Sequence, residues 1–316
     1  MCAMRPGLVS TIIPVFNRAG MLRRAVESVL AQTYRPIEIV IVDDGSTDDT
    51  PQAIAELARA HAVVRAVRRA NGGPGAARVS GRAVAEGEFL QYLDSDDRLL
   101  PRKFELQVAA LRQCAECGAA YGRTRYAGPD GRELAPTWKA PMERRAEMFP
   151  SFLLSRWWDT PTPLYRASVC EAAGPWTELR VEEDWEYDCR IAALGTRLAF
   201  VDDVVAEVHE HAEGRLSGRG TAEVLRDRAR AHELILSHAR RADLRNDQPE
   251  MQTFARELFH LARQCGAAGL SPEAERLIEL AREIAPRWDL RVYGALAGVI
   301  GWRAAGRAAR ALERLR

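Results

Sequence analysis

The chain has 316 residues, more than the roughly 100–200 residues of one ordinary domain, which predicts a large domain with an appendage or two domains. Its 45 Lys and Arg residues nearly balance 44 Asp and Glu, so charge alone excludes a protein that attracts nucleic acid or membrane through a global field. An anionic partner would need a local site. Most of the basic residues are Arg, whose planar guanidinium suits phosphate and carboxylate groups.

The cysteines and the N-terminus favour a cytoplasmic protein. Met1–Gly7 lacks the apolar stretch of a signal peptide, and no run reaches the roughly 18 apolar residues of a membrane span. Cys114 and Cys117 form a single CxxC without a second pair to complete a zinc site, which favours buried helix thiols.

Strand and helix patterns alternate through the first half of the chain. Apolar, β-branched runs predict strands at Leu8–Val15, Ile37–Val42, Val63–Arg68 and Glu88–Leu93. Helical patterns lie between them, at Met21–Gln32, at Thr50–Arg59 and after the Gly-rich turn Asn71–Arg78. This order predicts an α/β fold with a parallel sheet flanked by helices, whose ligands bind at the carboxyl ends of the strands.

The second half is predicted to be irregular at first and then helical. Gly118–Thr177 is rich in Pro, Trp and Arg and is expected to be dominated by loops. A helix is predicted at Trp185–Leu194, and a domain boundary near Gly220. We therefore expect an α/β domain at residues 1–220 and a helical C-terminal region at 221–316, with a helical hairpin and a basic terminal helix.

Polar residues follow the first two predicted strands. Pro14, Val15 and Asn17 lie at the end of the first strand, and Asp43 and Asp44 lie at the end of the second. Because these ends should meet at one edge of the sheet, an acidic side chain there could accept a hydrogen bond from a base such as uracil. A turn and helix cap is the alternative, and the Asp43–Asp49 segment by itself favours it.

Asp94 and Asp96 follow the last of these strands at positions i and i+2. Such a pair can bind Mg²⁺ or Mn²⁺, which usually takes one or two carboxylates and completes its shell with diphosphate oxygens and water. The alternative is that Asp97 caps a helix beginning near Pro101 while the other two acids are solvated. The position after two other acidic or polar strand ends favours the metal site.

Two later clusters could also carry chemistry. Glu183 and Asp184 begin a predicted helix, where the helix dipole would keep a carboxylate ionised and able to accept a proton from a sugar hydroxyl. Simple charge complementation of the helix is the alternative. His209 and His211 alternate in a predicted strand, so either could bind a metal or a phosphate, although an isolated His is more often structural.

Four of these motifs together resemble the family 2 glycosyltransferases of the GT-A fold. They are VSTIIPVFNRAGMLRRAVESVLAQTYRPIEIVIVDDGSTDDT, NGGPGAAR, DSDD and EEDWEYDCRIAALG, in the family's usual order, and the resemblance covers about residues 8 to 215. It implies a mostly parallel sheet with a Rossmann-like nucleotide-binding half and a nucleotide-sugar donor. The chain departs from the family at Val79, where Asn is common after Arg78.

The resemblance also implies roles for individual residues. Asp43 matches the acid that contacts the base, Asp94 the acid near the ribose, and Asp96 the ligand of Mn²⁺ or Mg²⁺. Asp184 matches the general base, with Glu183 as the next candidate. The basic residue near the donor corresponds to Arg78, and a late histidine that holds the metal or diphosphate corresponds loosely to His211.

These residues predict an inverting, metal-dependent glycosyltransferase. It would move a sugar from a UDP-sugar to a hydroxyl of a saccharide or lipid-linked saccharide, in cell-surface polysaccharide or glycolipid synthesis. A sugar nucleotidyltransferase would need a Gly-rich loop after the first strand, where this chain has Pro14–Arg18. A non-catalytic nucleotide-sugar-binding scaffold is the other alternative, and Asp96 with Asp184 argues against it because binding alone requires no base.

The C-terminus combines a basic stripe with an apolar strip. The stripe consists of Arg303, Arg307, Arg310 and Arg314. The strip consists of Ile300, Ala304, Ala308, Ala311, Leu312 and Leu315. Such a helix suits peripheral contact with an anionic membrane, here the inner face of the cell membrane. Packing of the strip on the rest of the protein is the alternative, since alanine buries little area.

Overall fold

The computed structural model describes residues 4–128, 132–134, 143–209 and 221–313. These residues form two compact units. The first is built from described residues within Met1–Met148, Trp157–Glu178 and Leu194–Gly214. The second is built from those within Phe149–Arg156, Leu179–Ala193 and Arg215–Arg316.

The first unit contains a nine-stranded sheet and five helices in its described part. In chain order the elements are β1 (Arg5–Val15), α1 (Ala19–Leu30), β2 (Ile37–Asp43), α2 (Thr50–Ala60), β3 (Val64–Arg68), α3 (Pro74–Val84), β4 (Gly87–Tyr92), β5 (Arg98–Leu99), α4 (Lys103–Gln113), β6 (Cys117–Ala127), β7 (Glu133–Leu134), β8 (Leu164–Arg166), α5 (Ala167–Ala173) and β9 (Arg197–His209). The strands lie in the order β3-β2-β1-β4-β8-β6-β9-β5, and β7 pairs with β6.

The predicted parallel α/β sheet is confirmed in β3, β2, β1 and β4, which all run parallel. Residues Leu8–Val15 of β1 are buried throughout, as expected for a strand covered on both faces. Helix α3 packs on β1 and β2 where it carries Gly81. A Cβ atom at Gly81 would lie 2.5 Å from Cγ2 of Ile12, so the close packing requires glycine there.

A buried polar cluster joins three of these strands near their amino ends. The hydroxyl of Ser10 in β1 donates to Oε1 of Glu38 in β2 (2.5 Å) and accepts from the backbone N–H of Gly87 in β4 (2.7 Å). Oε1 of Glu38 also accepts from the N–H of Glu86 (2.6 Å). Ser10 and Glu38 are 0% and 7% exposed. Because a buried polar group left unpaired is costly, these bonds select one alignment of the strands.

The prediction that loops dominate Gly118–Thr177 is wrong for the first part of that segment. An 11-residue strand, β6, lies there and is largely buried. It pairs in parallel with β9 and antiparallel with β8, so the sheet is mixed beyond β4. Its sequence, CGAAYGRTRYA, contains one β-branched residue, which explains why the strand pattern is weak. Small residues fit because the neighbours are close: a Cβ at Gly118 would lie 2.5 Å from Cγ2 of Val169.

The expectation of free thiols in the CxxC motif is also wrong. Cys114, directly after α4, and Cys117, the first residue of β6, form a disulfide. Free, buried thiols are instead found at Cys170, Cys189 and Cys265.

The second unit is helical in its described part. It contains a short 3₁₀ turn at Ser151–Leu153 and the helices α6 (Glu183–Ala192), α7 (Ala222–Arg241), α8 (Pro249–Ala268), α9 (Ser271–Ile284), α10 (Trp288–Ile300) and α11 (Trp302–Glu313). The predicted hairpin corresponds to α8 and α9, which pack together through buried alanine and leucine side chains. Gly269 ends α8 with a φ of +86°, in the left-handed region that favours glycine.

The predicted division into residues 1–220 and 221–316 stays a prediction, since Gly220 lies outside the described residues. The second unit includes two segments from before that boundary, Phe149–Arg156 and Leu179–Ala193. None of the described helices is both long enough and apolar enough to cross a membrane.

Candidate functional site

The ends of β1 and β2 lie side by side, as the sequence predicts. Val15 is the register partner of Asp43, and Pro14 precedes it in the same buried strand. The loops that follow are hydrogen-bonded to each other: the N–H of Asn17 donates to Oγ of Ser46 (3.0 Å), and Oδ1 of Asn17 accepts from the N–H of Thr47 (2.8 Å). The structure therefore brings the predicted nucleotide-binding residues of both strands together.

Asp43 and Asp44 are both buried and both engaged within the protein. Asp43 accepts from the N–H of Ser46 (2.8 Å), which closes the turn that the capping alternative expects. The carboxylate of Asp44 accepts from the backbone N–H groups of Gly72 (3.0 Å) and Gly73 (2.8 Å) and from Arg69 (2.7 Å). Asp44 thus fastens the Gly-rich turn to the end of β2, and a nucleotide contact by either acid stays a prediction.

The Gly-rich turn leads into α3 and positions Arg78. Nη2 of Arg78 donates to Oδ1 of Asp94 (2.7 Å), and the guanidinium lies 4.4 Å from the ring centre of Trp176. The Arg78 side chain is 3% exposed, so the protein surrounds it on nearly every side. A Cβ at Gly75 would lie 2.1 Å from the carbonyl oxygen of Thr177, so the start of α3 can approach that segment only with glycine. Arg78 is therefore a fixed cation beside the first acid of the DSD motif.

Asp96, the predicted metal ligand, forms an ion pair with Arg18, which lies just after the end of β1. Burial raises the pKa of Asp97 well above its ordinary value, and the negative charges of Asp96 and Asp94 raise it further. Three carboxyl groups are thus crowded into one turn. Among the described residues, no three His, Cys, Asp or Glu side chains form a group that could hold a metal ion.

Asp97 does not cap a helix, because α4 begins only at Lys103 and Asp97 instead accepts from the backbone N–H of His209 (3.2 Å). The ring of His209 contacts Oε1 of Glu207 (2.9 Å). His211, the predicted metal ligand, lies outside the described residues.

The predicted base Asp184 lies in the first turn of α6, in the second unit. Oδ1 of Asp184 accepts from the N–H of Trp185 (2.7 Å), and Oδ2 accepts from Nη1 of Arg156 (2.7 Å). Nε of the same arginine donates to Asp188 (2.7 Å). The Asp184 side chain is 30% exposed, whereas Glu183 is 7% exposed, so exposure favours Asp184 of the two candidates.

Glu182, the partly exposed residue before α6, and Glu186, buried within α6, hold this helix against α7. Glu182 pairs with Arg228 (2.8 Å) and His232 (3.1 Å), and Glu186 pairs with His238 (2.7 Å). Burial raises the pKa of each glutamate, but the hydrogen bonds from these partners outweigh burial and leave both pKa values below the ordinary value. The folded protein therefore favours the ionised form of both groups.

Sequence reasoning missed three residues of these clusters. Arg18 lies in the first motif, just after β1. The signal that could have identified it was its position next to the acidic end of β2. Arg156 and Trp176 lie in the segment that was expected to be irregular, where no local pattern indicates which acids or arginines they contact.

Comparisons with known proteins bear on the family and the fold. The model named Glycosyl transferase family 2 matches residues 10–168, just over half of the chain. A hyaluronan synthase from Pasteurella multocida is 34% identical over 144 residues, which are 46% of this chain and 15% of that protein. The chain spans less than half the length of the curated relatives it matches.

Two solved structures resemble the whole chain. Staphylococcus aureus TarS 1-349 in complex with UDP-GlcNAc has a TM-score of 0.71 at 19% identity, covering 96% of this chain and 91% of that one. A mannosyltransferase from Pyrobaculum calidifontis in complex with GDP-Man and Mn²⁺ has a TM-score of 0.53 at 18% identity, covering 96% and 86%. At these identities the likeness establishes the fold.

We predict that acid loosens the attachment of α6. Because the folded pKa values of Glu182 and Glu186 are depressed, their contribution to stability is complete above the ordinary value of 4.5 and is lost as pH falls through the folded values. Hydrogen exchange of the α6 amides, followed by mass spectrometry from pH 6 to pH 3 and corrected for intrinsic rates, should show protection falling at the acid end.

Glu186→Gln cannot ionise, so it should start with lower protection and show a shallower acid dependence. Glu233→Gln is the matched control, because Glu233 pairs with Arg230, whose side chain is largely exposed. Equal acid profiles for Glu186→Gln and the unmodified protein would contradict the prediction.

Proposed function

The chain belongs to glycosyl transferase family 2 and has the GT-A fold, and from this premise we propose that it transfers a sugar from a UDP-sugar to a hydroxyl group of an acceptor. The acceptor is a saccharide or a lipid-linked saccharide, used in building a cell-surface polysaccharide or glycolipid. The named relative that makes hyaluronan and the structural neighbour that holds UDP-GlcNAc support this choice of donor and product class.

One observation carries the proposal: three of the four motifs meet at the carboxyl ends of parallel strands in one hydrogen-bonded network. The β1 loop bonds to the β2 loop through Asn17 and Ser46, and the β2 loop holds the Gly-rich turn through Asp44. The helix after that turn carries Arg78, which pairs with Asp94 beyond β4. Nucleotides bind at this edge of open α/β sheets, because successive loops converge there.

The carboxylates of the DSD turn fit a divalent metal that arrives with the donor. Asp94 and Asp96 offer hard oxygen ligands, and Mn²⁺ or Mg²⁺ needs only one or two protein carboxylates when diphosphate oxygens and water complete its shell. When bound, the metal would neutralise charge on the departing nucleoside diphosphate. The Mn²⁺ complex of the neighbouring mannosyltransferase supports this assignment.

Asp184 is the proposed general base. Its Oδ1 accepts the N–H of Trp185, and its Oδ2 accepts from Arg156, so the ionised form has two donors and the side chain still reaches solvent. An ionised carboxylate can accept the proton of an attacking sugar hydroxyl. A single displacement assisted by one base inverts the anomeric configuration, so the product should be inverted.

The C-terminal helices are proposed to contact an anionic membrane. The members of the apolar strip whose side chains the structure describes, Ile300, Ala304 and Ala308, are exposed. Helix α10 also exposes Trp288 (76%), Val292 (55%) and Val299 (84%). The next helix exposes Arg303 and Arg307. Exposed aromatic and aliphatic side chains followed by arginines suit the headgroup region of an anionic bilayer.

The first prediction concerns the metal. Asp96→Ala should lower donor turnover by about 10²-fold or more and remove most of the Mn²⁺ dependence of UDP binding, because it deletes a metal ligand without touching the core. Titration calorimetry of UDP with and without Mn²⁺ measures this. Asp202→Ala removes an exposed acid that also pairs with an arginine, Arg123, and should change neither quantity. Parent-like, Mn²⁺-dependent UDP binding by Asp96→Ala would refute the metal assignment.

The second prediction concerns the base. Asp184→Asn should retain UDP binding but lower transfer by about 10²- to 10⁴-fold, since the amide is nearly isosteric and cannot accept the proton. Asp188→Asn is the control for disturbing Arg156, because Asp188 shares that arginine but is 1% exposed and cannot reach a substrate. Transfer lowered equally in both variants would assign Asp184 a structural role. Product NMR reports the anomeric configuration.

The third prediction concerns the membrane. The full chain should float with liposomes that contain phosphatidylserine but should not float with neutral liposomes. High salt should release it, because each arginine near an anionic surface adds about 1 kcal/mol of electrostatic binding free energy, which salt screens. Trp288→Ser and Val299→Ser should weaken flotation. Leu194→Ser, which changes a leucine that is 48% exposed outside these helices, should not. Equal flotation of all variants would exclude the α10 surface.

A further inference from the structure

The loop after β1 places an arginine on the acid that is proposed to bind the metal. Nη1 of Arg18 pairs with Oδ2 of Asp96, across 78 residues of chain. The two side chains are 34% and 20% exposed, so a dissolved ion or nucleotide can reach the pair. A guanidinium and a divalent cation compete for the same carboxylate oxygen, since both neutralise its charge.

The position of Arg18 is set by the backbone around it. Its N–H donates to Oγ1 of Thr50 (3.0 Å) at the start of α2. The preceding residue, Asn17, adopts a φ of +52°, in the left-handed region, and its side chain and N–H bond to Thr47 and Ser46. The loop is thus tied to the β2–α2 connection at three points, which fixes the start of the Arg18 side chain beside the DSD turn.

The other acid of the motif has a very different partner. Asp94 pairs with Arg78, whose side chain is 3% exposed and lies under the ring of Trp176. Arg78 has nowhere to move without breaking buried contacts. Arg18 is a third exposed and reaches Asp96 from a loop, so it can exchange one anionic partner for another at little cost. Of the two arginines, Arg18 is therefore the exchangeable one.

We propose that Arg18 exchanges one anionic partner for another. Its guanidinium pairs with the metal-binding carboxylate of Asp96 in the donor-free protein and moves to the diphosphate of the incoming nucleotide. The proposal rests on the proposed function. Arg18 keeps Asp96 neutralised while the site is empty of donor, which weakens binding of a free metal ion. The nucleotide then supplies a second anion for the guanidinium, whose planar fork matches two phosphate oxygens, and leaves Asp96 available for the metal. Metal and nucleotide should consequently bind with positive coupling.

The test measures Mn²⁺ and UDP binding separately by titration calorimetry, in the unmodified full chain and in Arg18→Gln. Without nucleotide, Arg18→Gln should bind Mn²⁺ about two- to fivefold more tightly, the range expected for removing a partly exposed ion pair. With saturating Mn²⁺ it should bind UDP about tenfold more weakly, because a charge-assisted bond to phosphate is lost. Opposite signs in the two titrations are the signature of the exchange.

Two further variants separate charge from geometry. Arg23→Gln is the matched control: it removes one positive charge from α1, where Arg23 pairs with Glu56, and should leave both affinities unchanged. Arg18→Lys keeps the charge but lacks the fork, so it should restore the weak Mn²⁺ binding and recover only part of the UDP affinity. Unchanged thermal unfolding shows that each variant is folded.

The titrations decide whether Arg18 exchanges Asp96 for the diphosphate. Tighter Mn²⁺ binding in Arg18→Gln with weaker UDP binding supports the exchange, and unchanged Mn²⁺ affinity overturns it, whatever happens to UDP. If the unmodified protein binds Mn²⁺ but no UDP, the proposed function fails. The nucleotide-free Mn²⁺ titration still tests whether Arg18 holds the metal-binding carboxylate, so the two failures are distinguishable.

Discussion

The structure depends on the buried polar cluster that aligns three parallel strands. Strands covered on both faces have no alternation of apolar and polar residues to fix their register. In this protein Ser10, Glu38 and the N–H of Gly87 supply the missing constraint, because a slip by one residue would leave a buried carboxylate without its donors. The alignment set at the amino ends determines which residues stand together at the carboxyl ends, so the site is positioned by bonds at the opposite end of the strands.

That alignment has an electrostatic consequence at the carboxyl ends. Asp94, Asp96 and Asp97 are gathered in one turn, where burial raises the pKa of Asp97 and the negative charges of Asp96 and Asp94 raise it further. The two arginines reduce the repulsion in different ways. Arg78 is built into the core and is permanent, whereas Arg18 is partly exposed. A diphosphate would bring additional negative charge to this turn, so binding of the proposed donor would redistribute the cations that neutralise the three acids. The partly exposed Arg18–Asp96 pair is where that change requires the least rearrangement.

The sequence predicts those parts of the fold whose local pattern and tertiary environment agree. The first two strands are dense in Ile and Val, and the polar residues after them could be placed because parallel strands end at the same edge. Strand β6 could not be found, since its stability comes from the strands beside it and its glycines and alanines reflect close packing. The Cys114–Cys117 disulfide was missed because a CxxC pattern does not reveal whether the chain turns between a helix and a strand. Arg156 was missed because its partners are distant in sequence.

The packing of α6 gives the C-terminal helix α7 a role in positioning the proposed base. By sequence, the ED motif continues the α/β domain and the helices are an appendage, but α6 packs with α7 through Glu182 and Glu186 and belongs to the helical unit. The orientation of Asp184 therefore depends on residues such as His238, beyond the 10–168 region that defines the family match. Removing the partner of the buried Glu186 carboxylate is costly because it leaves that carboxylate without its hydrogen bond. Substitutions on α7 can thus disturb the proposed base without touching any recognised motif.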